Sequence, residues 1–197
     1  VIFSSDQGPS PLITDGKKNG PLDAEAQFFR LHAMGYSGIY RGGKHGMNEG
    51  GIRVPWIVRW PGHVPAKRVD DKSVISGADY LPTLCALTGV TIDSTKFEGE
   101  DTSAAWLGKK EHLRTKPLLW KTSAPGSDAG VRESQWKLIT PTRKNGTKLA
   151  LYDIINDPTE KQDLASKHPD VVQTLSKKIK DWTSTLPKEY IKTDDKD

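Results

Sequence analysis

A glycine-rich loop that runs directly into an apolar strand constrains this chain more than any other feature of its sequence. Residues 42–51 are GGKHGMNEGG, and residues 52–60, IRVPWIVRW, follow at once. The β-branched and aromatic residues predict a strand, and Pro55 places it at a sheet edge or at the start of the strand. Glycine lets the backbone approach a ligand closely. The sequence therefore predicts a flexible loop anchored by the following strand, in which Lys44 either reaches a ligand or is a solvated surface lysine.

Length and composition exclude several classes of protein. A chain of 197 residues with 35% hydrophobic and 27% charged residues can bury the core of one domain, or of one domain plus part of another. The sequence has no run of about eighteen apolar residues, so we expect no membrane-spanning segment. The net charge of +4 is spread along the chain, which argues against nucleic-acid binding. Cys85 is the only cysteine, so intrachain disulfides and cysteine-rich zinc sites are excluded, and we expect it in the core.

The first half of the chain predicts alternating strands and helices. Residues 1–5, VIFSS, favour a strand that ends in the turn-forming sequence DQGP. Residues 24–34 predict about three helical turns. Residues 77–89 predict a short buried helix with Asp79 in its first turn and Gly89 as its C-cap. A change in composition follows, and it suggests a boundary near residues 100–115.

The second half predicts a small sheet covered by a helix. Residues 129–143 and 148–157 are two β-prone runs, and Asn145-Gly146 between them is a strong hairpin signal. Residues 168–186 have apolar side chains at helical spacing, with Pro169 suited to the first turn. These apolar side chains are Val171, Val172, Leu175, Ile179, Trp182 and Leu186. We expect this helix to lie on the sheet and the tail 191–197 to be frayed.

The residues that could carry chemistry are few, and each also has a simpler interpretation. Asp6 and Gln7 follow a strand and offer the oxygen ligands that calcium or magnesium prefers, but they could equally form a turn that caps the strand. Lys44 could bind an oxyanion or could be a solvated surface lysine, and its surroundings do not match a phosphate-binding GxxxxGK[ST] loop. Glu49 and Arg53, four residues apart, are expected to brace the turn into the next strand.

Five segments occur in the order found in one enzyme family. They are VIFSSDQGP, GKHGMNEGGIRVPWIVRWPG, DYLPTLCALTG, GVRESQWKLI and LYDIINDPTEKQDLA. Over residues 1–186 the chain resembles the C-terminal part of type I sulfatases, members of the arylsulfatase family and the alkaline-phosphatase-like superfamily. The resemblance implies an α/β fold. Residues 1–105 would end a mixed-sheet catalytic domain, and residues 106–190 would form an antiparallel sheet with a packed C-terminal helix.

The resemblance also implies a site. Asp6 and Gln7 take the positions of calcium ligands, although Gln7 stands where the family usually has asparagine or histidine. Lys44 takes the position of the lysine that binds the sulfate group of the substrate. The family's nucleophile is a formylglycine made from Cys/Ser-x-Pro-x-Arg, and this sequence lacks it. The nearest match, at residues 123–127, has serine where arginine is required.

The same resemblance implies what the chain works with. The paired aspartates that complete the calcium site belong to the N-terminal part of the family, so we expect this chain to be a C-terminal piece that is inactive alone. Its expected partners are a sulfated small molecule or glycan and the missing N-terminal part of the same polypeptide. Nucleic acid and membrane are not expected partners. Because most relatives are exported, an extracytoplasmic location is expected.

Two other functions remain open from the sequence. A phosphoryl-transfer hydrolase of the same superfamily would use a similar site, because phosphate and sulfate are both tetrahedral oxyanions and fold does not settle chemistry. A non-catalytic module that binds anionic glycans is the other possibility. In that case Trp120 and Trp136 would matter more than Lys44.

Overall fold

The computed structural model describes residues 1–9, 36–44, 46–121, 129–140 and 149–187. Within these ranges the chain is mixed α/β, as predicted, with a two-stranded sheet, a four-stranded antiparallel sheet and a long C-terminal helix. The predicted helix at residues 24–34, the Asn145-Gly146 turn and the tail 191–197 lie outside the described residues.

The two-stranded sheet joins the start of the chain to the segment after the glycine-rich loop. Strand β1 (Ile2–Ser4) pairs antiparallel with β2 (Trp56–Val58). A short helix, α1 (Glu49–Ile52), precedes β2 and takes up residues that the sequence had assigned in part to the strand. Pro55 lies just before β2, outside the paired residues, which agrees with its lack of a backbone donor.

The middle of the chain confirms the predicted buried helix. A 3-10 turn (Gly77–Asp79) leads into α2 (Tyr80–Thr88), and the Ser76 hydroxyl accepts a hydrogen bond from the N–H of Ala78. Gly89 ends the helix in the left-handed conformation, with φ of 76°, as a glycine C-cap does. Cys85 is buried, as expected. A second 3-10 turn (Ser94–Lys96) and the short helix α3 (Ser103–Trp106) follow.

The four-stranded sheet contains two more strands than the two β-prone runs that the sequence predicted. Its strands are β3 (Leu118–Lys121), β4 (Ala129–Glu133), β5 (Trp136–Thr140) and β6 (Ala150–Asp153), in that spatial order and all antiparallel. The run 129–143 was expected to be one continuous β segment. It folds back on itself instead, because Glu133 pairs with Trp136 across a two-residue turn in which Ser134 has φ of 52°.

Helix α4 (Pro169–Thr185) covers this sheet, as the apolar spacing predicted, and Pro169 lies in its first turn. The core between them contains Val131, Leu138 and Leu151, which are fully buried, with Leu175 and Ile179 from the helix. No helix among the described residues is both long and apolar enough to cross a bilayer.

The division near residue 105 stays a prediction, and several contacts cross it. Arg114 pairs with Asp79 at 2.7 Å, and the ring N–H of Trp182 donates to Glu98 at 2.9 Å. These contacts tie the small sheet and its helix to the preceding part of the chain.

Candidate functional site

The end of strand β1 carries two adjacent oxygen-bearing side chains. Asp6 is exposed, and the side-chain amide of Gln7 donates a hydrogen bond of 3.3 Å to its carboxylate. The pKa of Asp6 is lowered by this hydrogen bond first and by the aspartate's own backbone N–H next. Slight burial opposes this shift, and the positive charge of Lys44 adds to it. Asp6 is therefore ionised at neutral pH and lies within electrostatic reach of Lys44.

Backbone hydrogen bonds hold the strand end against the glycine-rich loop. The N–H of Lys44 donates to the carbonyl of Pro9 at 2.8 Å, and the N–H of Gly8 donates to the carbonyl of Gly51 at 2.8 Å. Two segments separated by about thirty-five residues of sequence are thus joined on both sides of the loop. The structure brings together Asp6, Gln7 and Lys44, the three residues singled out from the sequence.

Two glycines, Gly8 at the strand end and Gly51 at the end of the glycine-rich loop, lie where the backbone packs closely. A Cβ atom on Gly51 would lie 2.3 Å from the carbonyl oxygen of Gly46 and 2.5 Å from that of Gly43. A Cβ on Gly8 would lie 1.9 Å from the carbonyl oxygen of Gly50. Real Cβ contacts are not this short, so a side chain would push these segments apart. Lack of a side chain at Gly8 and Gly51 lets three stretches of this protein's own backbone pack together.

Glu49 has a larger role than the sequence predicted. Its carboxylate lies 3.5 Å from Arg53, the pair expected to brace the turn. It lies closer, at 2.8 Å, to the ammonium of Lys137 on β5, and Lys137 is also 2.8 Å from Glu160. Sequence reasoning missed Lys137 and Glu160. No local pattern marks them, because Lys137 is one lysine in an apolar strand and its carboxylate partners come from distant segments.

An open surface pocket of about 420 Å³ lies next to the strand end. Asp6 and Gln7 line it together with Trp120 and Lys121 of β3 and with Trp182 of α4. Its other lining residues are Gly46, Met47, Gly51, Ile52 and Leu119. A pocket of about 390 Å³ around Arg68 and residues 108–111 shares none of these residues.

The two tryptophans considered for glycan binding are placed differently. Trp120 lines the pocket beside Asp6. Trp136 packs against the core of the small sheet, with its ring 4.8 Å from the ring of His168. The structure therefore does not bring Trp136 to the site.

Asp6 and Gln7 fit part of a calcium site. A carboxylate and an amide carbonyl are the hard oxygen ligands that calcium prefers, and calcium takes six to eight of them. In the part of the chain that the structure describes, no group of three or more His, Cys, Asp or Glu residues could hold a metal ion. These two residues could contribute ligands to a metal that other groups complete.

Comparison with known proteins identifies the class to which this fold belongs. Residues 38–185 match the family model described as N-sulphoglucosamine sulphohydrolase, C-terminal. An N-acetylgalactosamine-6-O-sulfatase of Bacteroides thetaiotaomicron is 30% identical over 188 residues, which cover 89% of this chain and 34% of that protein. Human arylsulfatase A is 29% identical over 201 residues, covering 89% of this chain and 36% of the relative.

Solved structures agree in fold. A structure titled as that of Ps i-CgsB in complex with k-i-k-neocarrahexaose superposes with a TM-score of 0.70 at 25% identity, over 92% of this chain and 36% of that one. A Bacteroides thetaiotaomicron sulfatase, from work titled on the metabolism of multiple glycosaminoglycans, gives a TM-score of 0.65 at 30% identity, over 93% and 38%. These solved structures share the fold of this chain.

The chain belongs to the sulfatase family and matches its C-terminal part. It spans about a third of the length of the curated relatives that it matches, 34% and 36% for the two described above.

Proposed function

We propose that this chain is the C-terminal part of a calcium-containing sulfatase that hydrolyses sulfate esters with a formylglycine nucleophile. The observation that carries the proposal is the contact between the strand end and the lysine loop, defined here as residues 41–49. Hydrogen bonds of 2.8 Å from the N–H of Lys44 to the carbonyl of Pro9 and from the N–H of Gly8 to the carbonyl of Gly51 join the backbones of the two segments, and the charge of Lys44 contributes to lowering the pKa of Asp6. In the family resemblance, Asp6 takes the position of a metal ligand and Lys44 takes the position of the sulfate-binding lysine.

Each side chain has a distinct role in this proposal. Lys44 binds the sulfate group, and its positive charge stabilises the negative charge that builds up on the sulfuryl oxygens and the leaving group. Asp6 would hold calcium through a carboxylate oxygen, and Gln7 would hold it through its amide carbonyl oxygen. A lysine near a metal ligand is consistent with a site built for an anion, since the lysine and the metal would both supply positive charge. A formylglycine hydrate, supplied by another part of the polypeptide, would provide the hydroxyl that bonds to sulfur as the bond from sulfur to the alcohol oxygen breaks and the alcohol leaves.

The activity then belongs to a longer polypeptide. This chain carries Asp6, Gln7 and Lys44, and its relatives are about three times its length. We expect the 197-residue chain to be catalytically silent without the remaining site residues. By the same resemblance, the proposed location is extracytoplasmic.

Substrate class distinguishes this proposal from phosphoryl transfer. We expect the full-length protein to hydrolyse an aryl sulfate with a much higher kcat/KM than the matching aryl phosphate. The two esters share a leaving group, so the comparison isolates the transferred group. A preference for the phosphate would replace the proposed reaction with phosphoryl transfer, whereas inactivity toward both would overturn the enzymatic proposal.

The pocket supports a second candidate, a surface that binds an anionic glycan. Trp120 and Trp182 offer aromatic faces, and Lys121 offers a cation beside them. A heparin titration of the chain at low salt tests this function, because screening is weakest there. Salt-sensitive binding that is lost in Trp120→Ala and kept in Lys44→Ala would favour the glycan module. No binding at low salt would remove it.

A further inference from the structure

A buried ion cluster connects the lysine loop to the small sheet. Lys137 on β5 has no exposed side-chain surface, and neither has Glu160, while Glu49 is 3% exposed. The ammonium of Lys137 lies 2.8 Å from a carboxylate oxygen of each glutamate. The second carboxylate oxygen of Glu160 accepts the backbone N–H of Glu49 at 2.8 Å. The start of helix α1 is therefore held through both its side chain and its backbone.

The other end of the lysine loop is held by the same part of the sheet. The guanidinium of Arg41 donates to the hydroxyl of Tyr152 at 3.2 Å and to the backbone carbonyl of Glu160 at 3.1 Å. Tyr152 lies on β6, directly opposite Lys137 in the strand register. Contacts at Arg41 and at Glu49 thus fix the loop on both sides of Lys44.

Glu160 is held in a backbone conformation that its residue type rarely adopts. Its φ is 54°, in the left-handed region that favours glycine. Asp157 stabilises the turn, because its carboxylate accepts the N–H groups of Lys161 and Gln162 at 2.7 and 2.8 Å. The N–H of Glu160 also donates to the carbonyl of Asp157 at 3.1 Å. A costly conformation that places a carboxylate under the lysine loop indicates a specific requirement at this point.

Charge in the cluster is balanced by neighbouring arginines. Two buried carboxylates face one ammonium, which would leave a net negative charge in a region of low dielectric constant. Arg53 lies 3.5 Å from Glu49. Burial lowers the pKa of Arg132 on β4, and the charge of Glu49 opposes that shift, so Arg132 also lies within its electrostatic reach.

We propose that Lys137 is a positioning residue that sets the place of Lys44. It does so by linking Glu49, at the end of the lysine loop, to Glu160. This inference rests on the proposed function, because the loop matters to catalysis only if Lys44 binds sulfate. Lys137 does not touch the substrate. It acts through Glu49 and helix α1, whose Gly51 carbonyl accepts the N–H of Gly8 at the strand end.

Two measurements on the full-length protein test whether Lys137 positions the lysine loop. The first is the inhibition constant of inorganic sulfate against aryl sulfate hydrolysis. The second is hydrogen exchange of the backbone amides at Gly8, Lys44 and Gly50, whose partners are Gly51, Pro9 and Arg41. In Lys137→Met, we expect the sulfate inhibition constant to rise roughly tenfold or more, because small displacements of a binding group are costly. We expect exchange at these amides to accelerate.

The matched control is Arg114→Met. Arg114 also forms a buried ion pair, with Asp79 at 2.7 Å, and its hydrogen bonds, to Asp79 and to the carbonyl of Lys116, do not involve the lysine loop. It should destabilise the protein while leaving the sulfate inhibition constant and exchange at Lys44 unchanged. Should Lys137→Met fail to fold, Glu160→Gln gives the same two readouts, since it removes one charge and leaves Lys137 paired with Glu49. Lys137→Arg, which keeps the charge, should recover part of the sulfate affinity.

Each outcome decides the inference. Faster exchange at Lys44 together with weaker sulfate inhibition supports the positioning role of Lys137. Unchanged exchange overturns it, and faster exchange with an unchanged inhibition constant shows that Lys137 only stabilises the fold. A wild-type protein that does not hydrolyse aryl sulfate would overturn the proposed function and the sulfate role of the loop. In that case exchange would still decide separately whether Lys137 holds the loop.

Discussion

The backbone N–H of Lys44 donates a hydrogen bond of 2.8 Å to the carbonyl oxygen of Pro9. This bond joins the glycine-rich loop to the segment that carries Asp6 and Gln7, so the proposed sulfate-binding and metal-binding residues are set by a single backbone arrangement. Changes that separate the two segments should affect both roles together.

The substitution Gly51→Ala should push the glycine-rich loop away from the segment that carries Asp6 and Gln7. The new Cβ would lie 2.3 Å from the carbonyl oxygen of Gly46, and backbone cannot move aside as a flexible side chain can. We expect a loss of about 3 kcal/mol in the free energy of unfolding, measured by urea denaturation. Gly77→Ala is the control, because a Cβ there has nothing within 4 Å, and it should be neutral or slightly stabilising. Equal effects of the two substitutions would refute the close packing of the loop.

Arg114→Met should be strongly destabilising. Arg114 is 7% exposed and lies 2.7 Å from Asp79, which is fully buried and also accepts the N–H groups of Ser76 and Glu100. Removing the guanidinium leaves a buried carboxylate without its ion-pair partner, at a cost of about 3–5 kcal/mol.

An exposed ion pair provides the comparison for Arg114. Lys177 and Asp181 pair on the surface of α4, with side chains 76% and 60% exposed. Lys177→Met should change the free energy of unfolding by less than about 0.5 kcal/mol. Thermal and urea unfolding of both variants would measure the contrast. A small effect of Arg114→Met would mean that water reaches Asp79.

Glu100 should make stability depend on pH in the acid range. Burial alone would raise the pKa of Glu100, but hydrogen bonds from the Thr115 hydroxyl, the Lys116 and Thr115 N–H groups and the His112 ring lower it to about 2 from the ordinary 4.5. Because the folded-state pKa is the lower one, this stabilisation is fully present above pH 4.5 and is lost as the pH falls towards 2.

Comparing Glu100→Gln with the wild type isolates this contribution from other carboxylates. We expect the difference in the free energy of unfolding between the two proteins to be constant above about pH 5 and to shrink between pH 4.5 and 2. Urea denaturation at a series of pH values measures it. A difference that stays the same down to pH 2 would show that the pKa of Glu100 is not lowered.

Calcium binding should require more than this chain supplies. Asp6 and Gln7 offer two side-chain ligands where calcium takes six to eight, so calorimetry on the chain should give a Kd weaker than about 0.1 mM. In the full-length protein, Asp6→Ala should weaken calcium binding, while Gln7→Asn, which keeps the carbonyl oxygen and has the family's usual residue, should preserve it. Tight one-to-one binding by the chain would contradict this account.

Local patterns predicted the features that local chemistry determines. The spacing of Leu175 and Ile179 predicted the face that α4 buries, and Gly89 predicted the end of α2. The hairpin at Ser134 was missed because neither Ser134 nor Gln135 is typical of a turn that needs positive φ, and the pairing of β4 with β5 imposes that conformation.

The residues of the candidate site also fall into two groups: those that local motifs indicated and those that only the fold brings together. Asp6, Gln7 and Lys44 were proposed from the sequence because each lies in a short motif that the family resemblance covers, and their roles stay predictions. Lys137 was not, because its partner Glu49 lies 88 residues earlier, and only the folded sheet shows that a lysine in an apolar strand is paired. Gly51 was noted in the sequence as part of the glycine-rich loop, but its role in backbone packing became clear only from the carbonyl oxygens of Gly43 and Gly46 that lie against it.

The most direct test of the account is the rate at which the full-length Lys44→Ala variant hydrolyses an aryl sulfate. Loss of a charge that stabilises the transition state should lower kcat/KM by roughly 100-fold or more. Lys180→Ala, at an exposed position on α4, is the control and should retain the wild-type rate. A Lys44→Ala variant with wild-type kcat/KM would contradict the proposed role of Lys44 in binding sulfate.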